Sequence, residues 1–222
     1  MYFTEQTIDF LAGLALNNEK SWFDHNRKIY QKEVKERFDV FLTELIDEVK
    51  KFDTVGDLPL QKFKFRINRD VRFSKDKSPY NPWASAVIGP EGKKTTGPLY
   101  YVRVGVEGVQ IGGGVYMPSS EQLKKIRDGL VQDNTSLRKL LDGKEFVRFY
   151  DGKIGSDQQY KTLPKAYKQA AESEPLLYEK GFTYMKSYPI DVALQDDFLQ
   201  FVVDHFRSAR DINHWFAEKL VA

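Results

Sequence analysis

Between residues 66 and 80 the chain reads Arg66-Ile67-Asn68-Arg69-Asp70-Val71-Arg72-Phe73-Ser74-Lys75-Asp76-Lys77-Ser78-Pro79-Tyr80. Cations recurring at steps of two or three residues form a set that can hold an anion. A guanidinium is a planar fork that matches carboxylate or phosphate oxygens in pairs, and a lysine adds a mobile point charge. Arg66, Arg69, Arg72 and Lys77 are the candidate ligand contacts, with Tyr80 as an aromatic neighbour. Asp70 and Asp76 can orient those cations. As the candidate catalytic pair, they would instead accept a proton while the arginines stabilise developing negative charge. A straight strand would send Arg66 and Arg69 to opposite faces, so convergence needs a bend, and Asn68, Ser74, Ser78 and Pro79 suit one. The competing reading is an ion-pair network in which the same acids and bases merely hold a loop.

A second set is Gly112-Gly113-Gly114-Val115-Tyr116, followed by a helix start at Ser119. Gly113, Gly114 and Tyr116 are candidate ligand contacts, because glycines admit close approach by a ligand or by another chain segment. The plainer reading is a β-bulge or barrel corner. Neither a dinucleotide fingerprint nor a phosphate-binding loop is spelled here. The helix start can offer free N–H groups to an anion. One of Arg66, Arg69 and Arg72 is therefore expected within a single ligand's reach of the glycines and Ser119. A helix N-terminus is itself positive, so such a meeting needs an anion, or Asp70 and Asp76 in its place.

Other constellations promise less. Trp22, Phe23, Asn26, Arg27 and Tyr30 share one helical face and read as an aromatic staple with Arg27 ion-paired, or else as a pocket rim. His25, His205 and His214 lack ligand spacing, so no metal is expected, and no cofactor is implied. With zero cysteines, thiol catalysis, disulfides and thiolate zinc sites are excluded.

The formal charge of +2 hides an asymmetry. Residues 62–77 hold seven cations against two aspartates, a net +5. Extending the window to Arg103 adds Lys93, Lys94 and Arg103 against Glu91 and gives +7, which leaves −5 on the rest. A local positive field points to an anionic partner. A pI near 8.5 falls short of the general basicity of a nucleic-acid binder, so nucleic acid is the alternative partner and a protein-interaction role a further one.

No run approaches the ~18 apolar residues of a membrane span. The first twenty residues place no basic residue ahead of an apolar stretch that Asp9 interrupts, so they read as a helix rather than an export signal. Cytoplasm is the expected compartment.

The elements that must position these residues follow from periodicity. Thr4 or Thr7 caps a first helix with Ile8, Leu11, Leu14 and Ala15 inward. Residues 19–52 read as amphipathic helix with a kink near Tyr30. Gly56 and Pro59 end that pattern; alternation then predicts strands over residues 62–67 and 99–106, with a second strand over 83–88 and a partner strand over 109–116 returning through a tight turn at Glu107-Gly108. Ser119 and Gln122 have capping-box spacing, with Leu123, Ile126 and Leu130 as the buried stripe. A short helix is expected over 133–141, a strand-like piece over 147–150, helix around 165–171 and a last strand over 182–188. Two helices, 198–209 and 211–221, close the chain. The sum is a single α+β domain over residues 1–222, a central antiparallel sheet flanked by N-terminal and C-terminal helices.

The string Arg66-x-x-Arg69-Asp70-x-Arg72-Phe73-x-x-Asp76-Lys77-x-Pro79-Tyr80 resembles the signature of a widespread microbial family of uncharacterised proteins, a domain of unknown function. Asn17-Asn18-x-Lys20-x-Trp22-Phe23 with Asn26-Arg27-x-x-Tyr30 is similar to its opening motif. Gly112-Gly113-Gly114-Val115-Tyr116-Met117-Pro118, with Leu123-x-x-Ile126-Arg127, is similar to its second signature. The resemblance covers most of residues 1–142. The last third departs from it, with Pro164-Lys165-Ala166-Tyr167 where relatives usually carry a Pro-Lys-Gly-Phe type stretch. It implies an α+β fold and supplies no reaction, cofactor or catalytic residue. The expected function is therefore binding of an anionic small molecule such as a phosphorylated metabolite or nucleotide, with action on it if Asp70 or Asp76 serves as a base.

Overall fold

The computed structural model describes residues 1–221. Helices α1 (Glu5–Leu16), α2 (Lys20–Ile29) and α3 (Arg37–Lys50) come first, followed by strands β1 (Trp83–Ile88), β2 (Leu99–Gly105) and β3 (Gly108–Val115). Helices α4 (Ser120–Gln132), α5 (Asn134–Leu141), α6 (Lys144–Tyr150) and α7 (Lys165–Lys168) precede strand β4 (Phe182–Tyr188), and α8 (Phe198–Ser208) and α9 (Arg210–Val221) end the chain. The strands form one antiparallel sheet in sequence order, β1-β2-β3-β4, so tight turns suffice to connect β2 to β3. The class is α+β. Among the described residues no helix is long and apolar enough to cross a membrane.

Contacts divide the chain into two compact units. The first holds Met1–Lys93, Tyr101–Ile111 and Ser187–Asp204; the second holds Lys94–Tyr100, Gly112–Lys186 and His205–Ala222.

In the first unit, α1 and α2 are tied by Phe10, Phe23, Tyr30 and Tyr80, a cluster that also includes Leu11, Leu14, Val34 and Ile67. Phe3 and Phe41 pack edge-on at 5.6 Å, and Phe198 stacks on Phe41 at 5.1 Å. The kink expected near Tyr30 is a π-helical stretch, Tyr30–Glu36. A wider turn leaves backbone groups to find other partners. Here the buried Glu33 carbonyl accepts the Thr7 hydroxyl at 2.8 Å, and its carboxylate accepts from Arg37 Nε at 2.7 Å.

The second unit buries Leu123, Ile126 and Leu130 of α4 against Phe146, Phe182, Trp215 and Phe216. Ser119 and Gln122 make the expected capping box. Residues 147–150, read as strand-like, belong instead to α6. Phe146, Phe149 and Tyr150 are all buried, and a three-and-four spacing puts them on one side only in a helix. The strand expected over 62–67 is also corrected. Leu60–Lys62 is a short 3-10 turn, and only isolated bridges follow it. Phe63 and Ile67 turn inward as alternation requires, whereas Phe65 is 46% exposed.

Candidate functional site

The basic segment runs as an irregular antiparallel ribbon beside β1. Phe65 N–H donates to Ser85 at 2.9 Å, Val87 N–H to Phe63 at 3.0 Å, Asn81 N–H to Ile67 at 2.7 Å and Arg69 N–H to Pro79 at 2.9 Å. Its root is fixed by Asn18, whose amide donates to the Tyr80 carbonyl at 2.9 Å and accepts the Tyr80 N–H at 3.0 Å. Tyr80 is 5% exposed and stacks on Phe23 with ring centroids 4.1 Å apart. It thus lies in the aromatic cluster of the first unit, where it anchors the ribbon.

Beyond Arg69 the tip closes on itself. Asp70 accepts from Arg72 three times, at 2.9 Å from Nε, 2.6 Å from Nη2 and 3.3 Å from the backbone N–H. Asp76 accepts the Ser78 N–H at 2.9 Å, the Ser78 hydroxyl at 2.7 Å and an Arg69 guanidinium N–H. Lys77 Nζ donates to the Val71 carbonyl at 2.9 Å. The hydrogen bonds from Arg72 hold Asp70 below the usual carboxylate range and raise Arg72 in turn. Asp76 is held further below, first by the two Ser78 donors and then by Arg69. Carboxylates so stabilised in their ionised form are weak bases near neutral pH. Phe73, at the far end, is 96% exposed, with the Arg72 guanidinium 5.9 Å from its ring centroid.

The base of the ribbon is built differently. Gly92 has φ +55, and a Cβ there would strike the Lys62 carbonyl, so this turn needs glycine and brings Lys93 beside the ribbon. Lys93 Nζ donates to the Lys64 carbonyl at 2.8 Å and lies 6.0 Å from the centroid of Phe65. Lys64 is paired with Asp39. Lys62, Arg66 and Lys93 make no ion pair among the described residues. Burial first, then the charges of Arg66, Lys62 and Lys64, lower the proton affinity of Lys93. Lys62 and Arg66 thus lie near enough for their charges to act on Lys93, which itself sits beside Phe65.

The other sequence candidates, Gly113, Gly114, Tyr116 and Ser119, belong to the second unit, whereas the basic ribbon belongs to the first. At Gly113 a Cβ would meet the Leu99 carbonyl and the Tyr184 hydroxyl; at Gly114, with φ +99, it would meet the Phe182 carbonyl. The close approach these glycines permit is that of neighbouring strands. Tyr116 is exposed. The N-terminus of α4 is closed by its own residues, since Ser119 Oγ takes the Gln122 N–H at 3.2 Å and Gln122 Oε1 takes the Ser119 N–H at 2.9 Å. Arg27 is ion-paired with Asp24, while Phe23 is buried in the staple. Among the described residues no group of three His, Asp or Glu side chains is placed to hold a metal ion.

Sequence reading missed Lys62 and Lys93 as partners of Arg66. The one available signal was Gly92, which precedes Lys93 and ends a Gly-Pro-Glu-Gly turn.

Comparison with known proteins gives one match. The model of a conserved hypothetical protein family, DUF2461, spans residues 6–215. No curated protein and no solved structure matches the chain.

Proposed function

The chain belongs to the DUF2461 family of conserved hypothetical proteins, and we propose that this member binds a small anion of the phosphorylated-metabolite or nucleotide class at the base of its basic ribbon. The observation that carries the reading is that the charges of Lys62 and Arg66 act on Lys93, and that none of the three makes an ion pair among the described residues. Like charges brought together are mutually destabilising, and an anion is what relieves them. Arg66 supplies a fork for two oxygens, Lys62 and Lys93 supply mobile charge, and Phe65 offers an apolar face to a base or sugar. Arg69, Arg72 and Lys77 are engaged within the tip and would reach a ligand only by leaving Asp76, Asp70 and the Val71 carbonyl. Asp70 and Asp76 then serve as built-in counter-ions rather than bases, so the reading is one of binding.

Thermal unfolding with phosphate esters, nucleotides and dicarboxylates tests it. A ligand at about 100 times its Kd adds ~2.7 kcal/mol of stability. Arg66→Ala is expected to abolish that gain and Arg72→Ala to keep it. No gain with any anion in the wild-type chain overturns the reading.

Phe73 favours a second reading, an interface with single-stranded nucleic acid. An aromatic ring exposed among Arg72, Lys75 and Lys77 is a stacking platform flanked by phosphate contacts. Oligonucleotide affinity that falls steeply with salt and is lost in Phe73→Ala supports this reading; absence of binding at low salt removes it.

A further inference from the structure

The second unit holds a charge that its own residues leave unanswered. Arg127, on the inward face of α4, is 6% exposed. Its Nε donates to the Leu177 carbonyl at 2.9 Å, but its buried Nη2 has no hydrogen-bond partner. No carboxylate pairs with it among the described residues. Adjacent Asp128 is taken by Lys124 at 2.7 Å and by the Tyr167 hydroxyl at 2.7 Å. Glu179 is taken by the Ser156 N–H and hydroxyl, both at 2.8 Å, and by Gln159 at 2.7 Å. Two rings face Arg127: its guanidinium carbon lies 4.6 Å from the centroid of Tyr160 and 5.9 Å from that of Tyr167. A second cation addresses the Tyr160 ring, with Lys180 Nζ 5.1 Å from its centroid, and Lys180 also makes no ion pair. Tyr160 is half-exposed and sits in a segment, 151–164, without regular structure.

We propose that Arg127 and Lys180 form an oxyanion site, for a carboxylate or phosphoryl group, over which the Tyr160 ring is a displaceable cover. Burying an unpaired guanidinium opposes folding, and a ring face answers it less fully than an oxyanion. With Nε held by Leu177, the guanidinium presents its Nη end, and the orphaned Nη2 supplies the missing donor. Lys180 Nζ, 5.1 Å from the same ring centroid, supplies the second charge at the position the ring now holds. Burial lowers the proton affinity of Arg127, in keeping with a charge that lacks a counter-ion.

The test uses the full chain in an Arg66→Ala background, so that the ribbon site is silent and failure there is not confused with failure here. Inorganic phosphate and acetate are the two calorimetric probes, one for each oxyanion class. Binding of either probe is expected, weakened at least tenfold by Arg127→Met and several-fold by Lys180→Met. Tyr160→Ala, which removes the cover, is expected to tighten it by about tenfold. Arg127→Met is also expected to unfold at the same temperature as its parent or higher, because an apolar side chain of similar length suits a buried position without a counter-ion. Absence of binding by both probes, even in Tyr160→Ala, overturns the proposal. So does binding that Lys180→Met and Arg127→Met leave unchanged. Should Arg127→Met fail to fold, Arg127 is architecture and the proposal falls unless Lys180→Met and Tyr160→Ala shift affinity in the stated opposite directions.

Discussion

The tip and the base of the ribbon use the same kinds of side chain and arrive at opposite electrostatic states. At the tip, Arg69 and Arg72 each meet an aspartate from the same short loop, and Lys77 meets a backbone carbonyl. At the base, the charges of Lys62 and Arg66 act on Lys93, and Asp39 is occupied by Lys64. The two regions carry four cations each, Arg69, Arg72, Lys75 and Lys77 against Lys62, Lys64, Arg66 and Lys93, yet the base is where an anion has most to gain. Counting positive residues therefore misplaces a site; what matters is which charges already have partners.

Removing the common root should have the largest effect, because it breaks both regions together. Tyr80→Ala deletes a buried ring stacked on Phe23, and a loss of about 3–5 kcal/mol is expected in urea unfolding. Gly92→Ala should separate the regions. The left-handed turn and the Lys62 carbonyl both resist a Cβ, so about 1–3 kcal/mol is expected, with anion binding weakened while the tip stays intact. The ligand contrast comes next. Arg66→Ala should lower anion affinity by about 100-fold or more, the worth of two charge-assisted hydrogen bonds, whereas Arg72→Ala should change it less than about threefold. Equal losses in the two variants would erase the distinction drawn here.

The smallest effects lie in pH, and they have opposite origins. Lys93 is lowered from 10.5 in the folded chain, so the unfolded chain binds its proton more tightly. Stability without ligand should rise with pH from the folded Lys93 range up to 10.5. Lys93→Met should flatten that rise. Asp76 is lowered from 3.8, so its contribution is present above that value and lost as pH falls through its folded range. Asp76→Asn should remove this acid-side loss and leave the alkaline limb unchanged. Urea unfolding across pH measures both limbs.

Much of the scaffold was legible in residue order. The Ser119–Gln122 box, the stripe Leu123, Ile126 and Leu130, and the alternation through β2 each follow from a local period. Misreadings arose where local preference and burial disagree. Phe146, Val147, Phe149 and Tyr150 are strand-favouring types, yet the burial of three of them on one side selects a helix. Phe65 fits an alternating strand, but its place is an exposed one beside Lys93. The pairing of Arg72 with Asp70 was legible as one of two readings, since only two residues separate them. The pairing of Lys93 with the ribbon was not, because the turn at Gly92 returns the chain to Lys62 across some thirty residues.

By itself the sequence determined the α+β class, the positive middle of the chain and the acids that could neutralise it, because periodicity and short-range charge spacing are properties of neighbours in the chain. Only the tertiary structure decided which cations stay unanswered. Arg66 is left without a carboxylate, and Arg127 is buried under Tyr160. A charge's partner is set by proximity in space and by competition among distant groups, and neither is encoded in the spacing of residues along the chain.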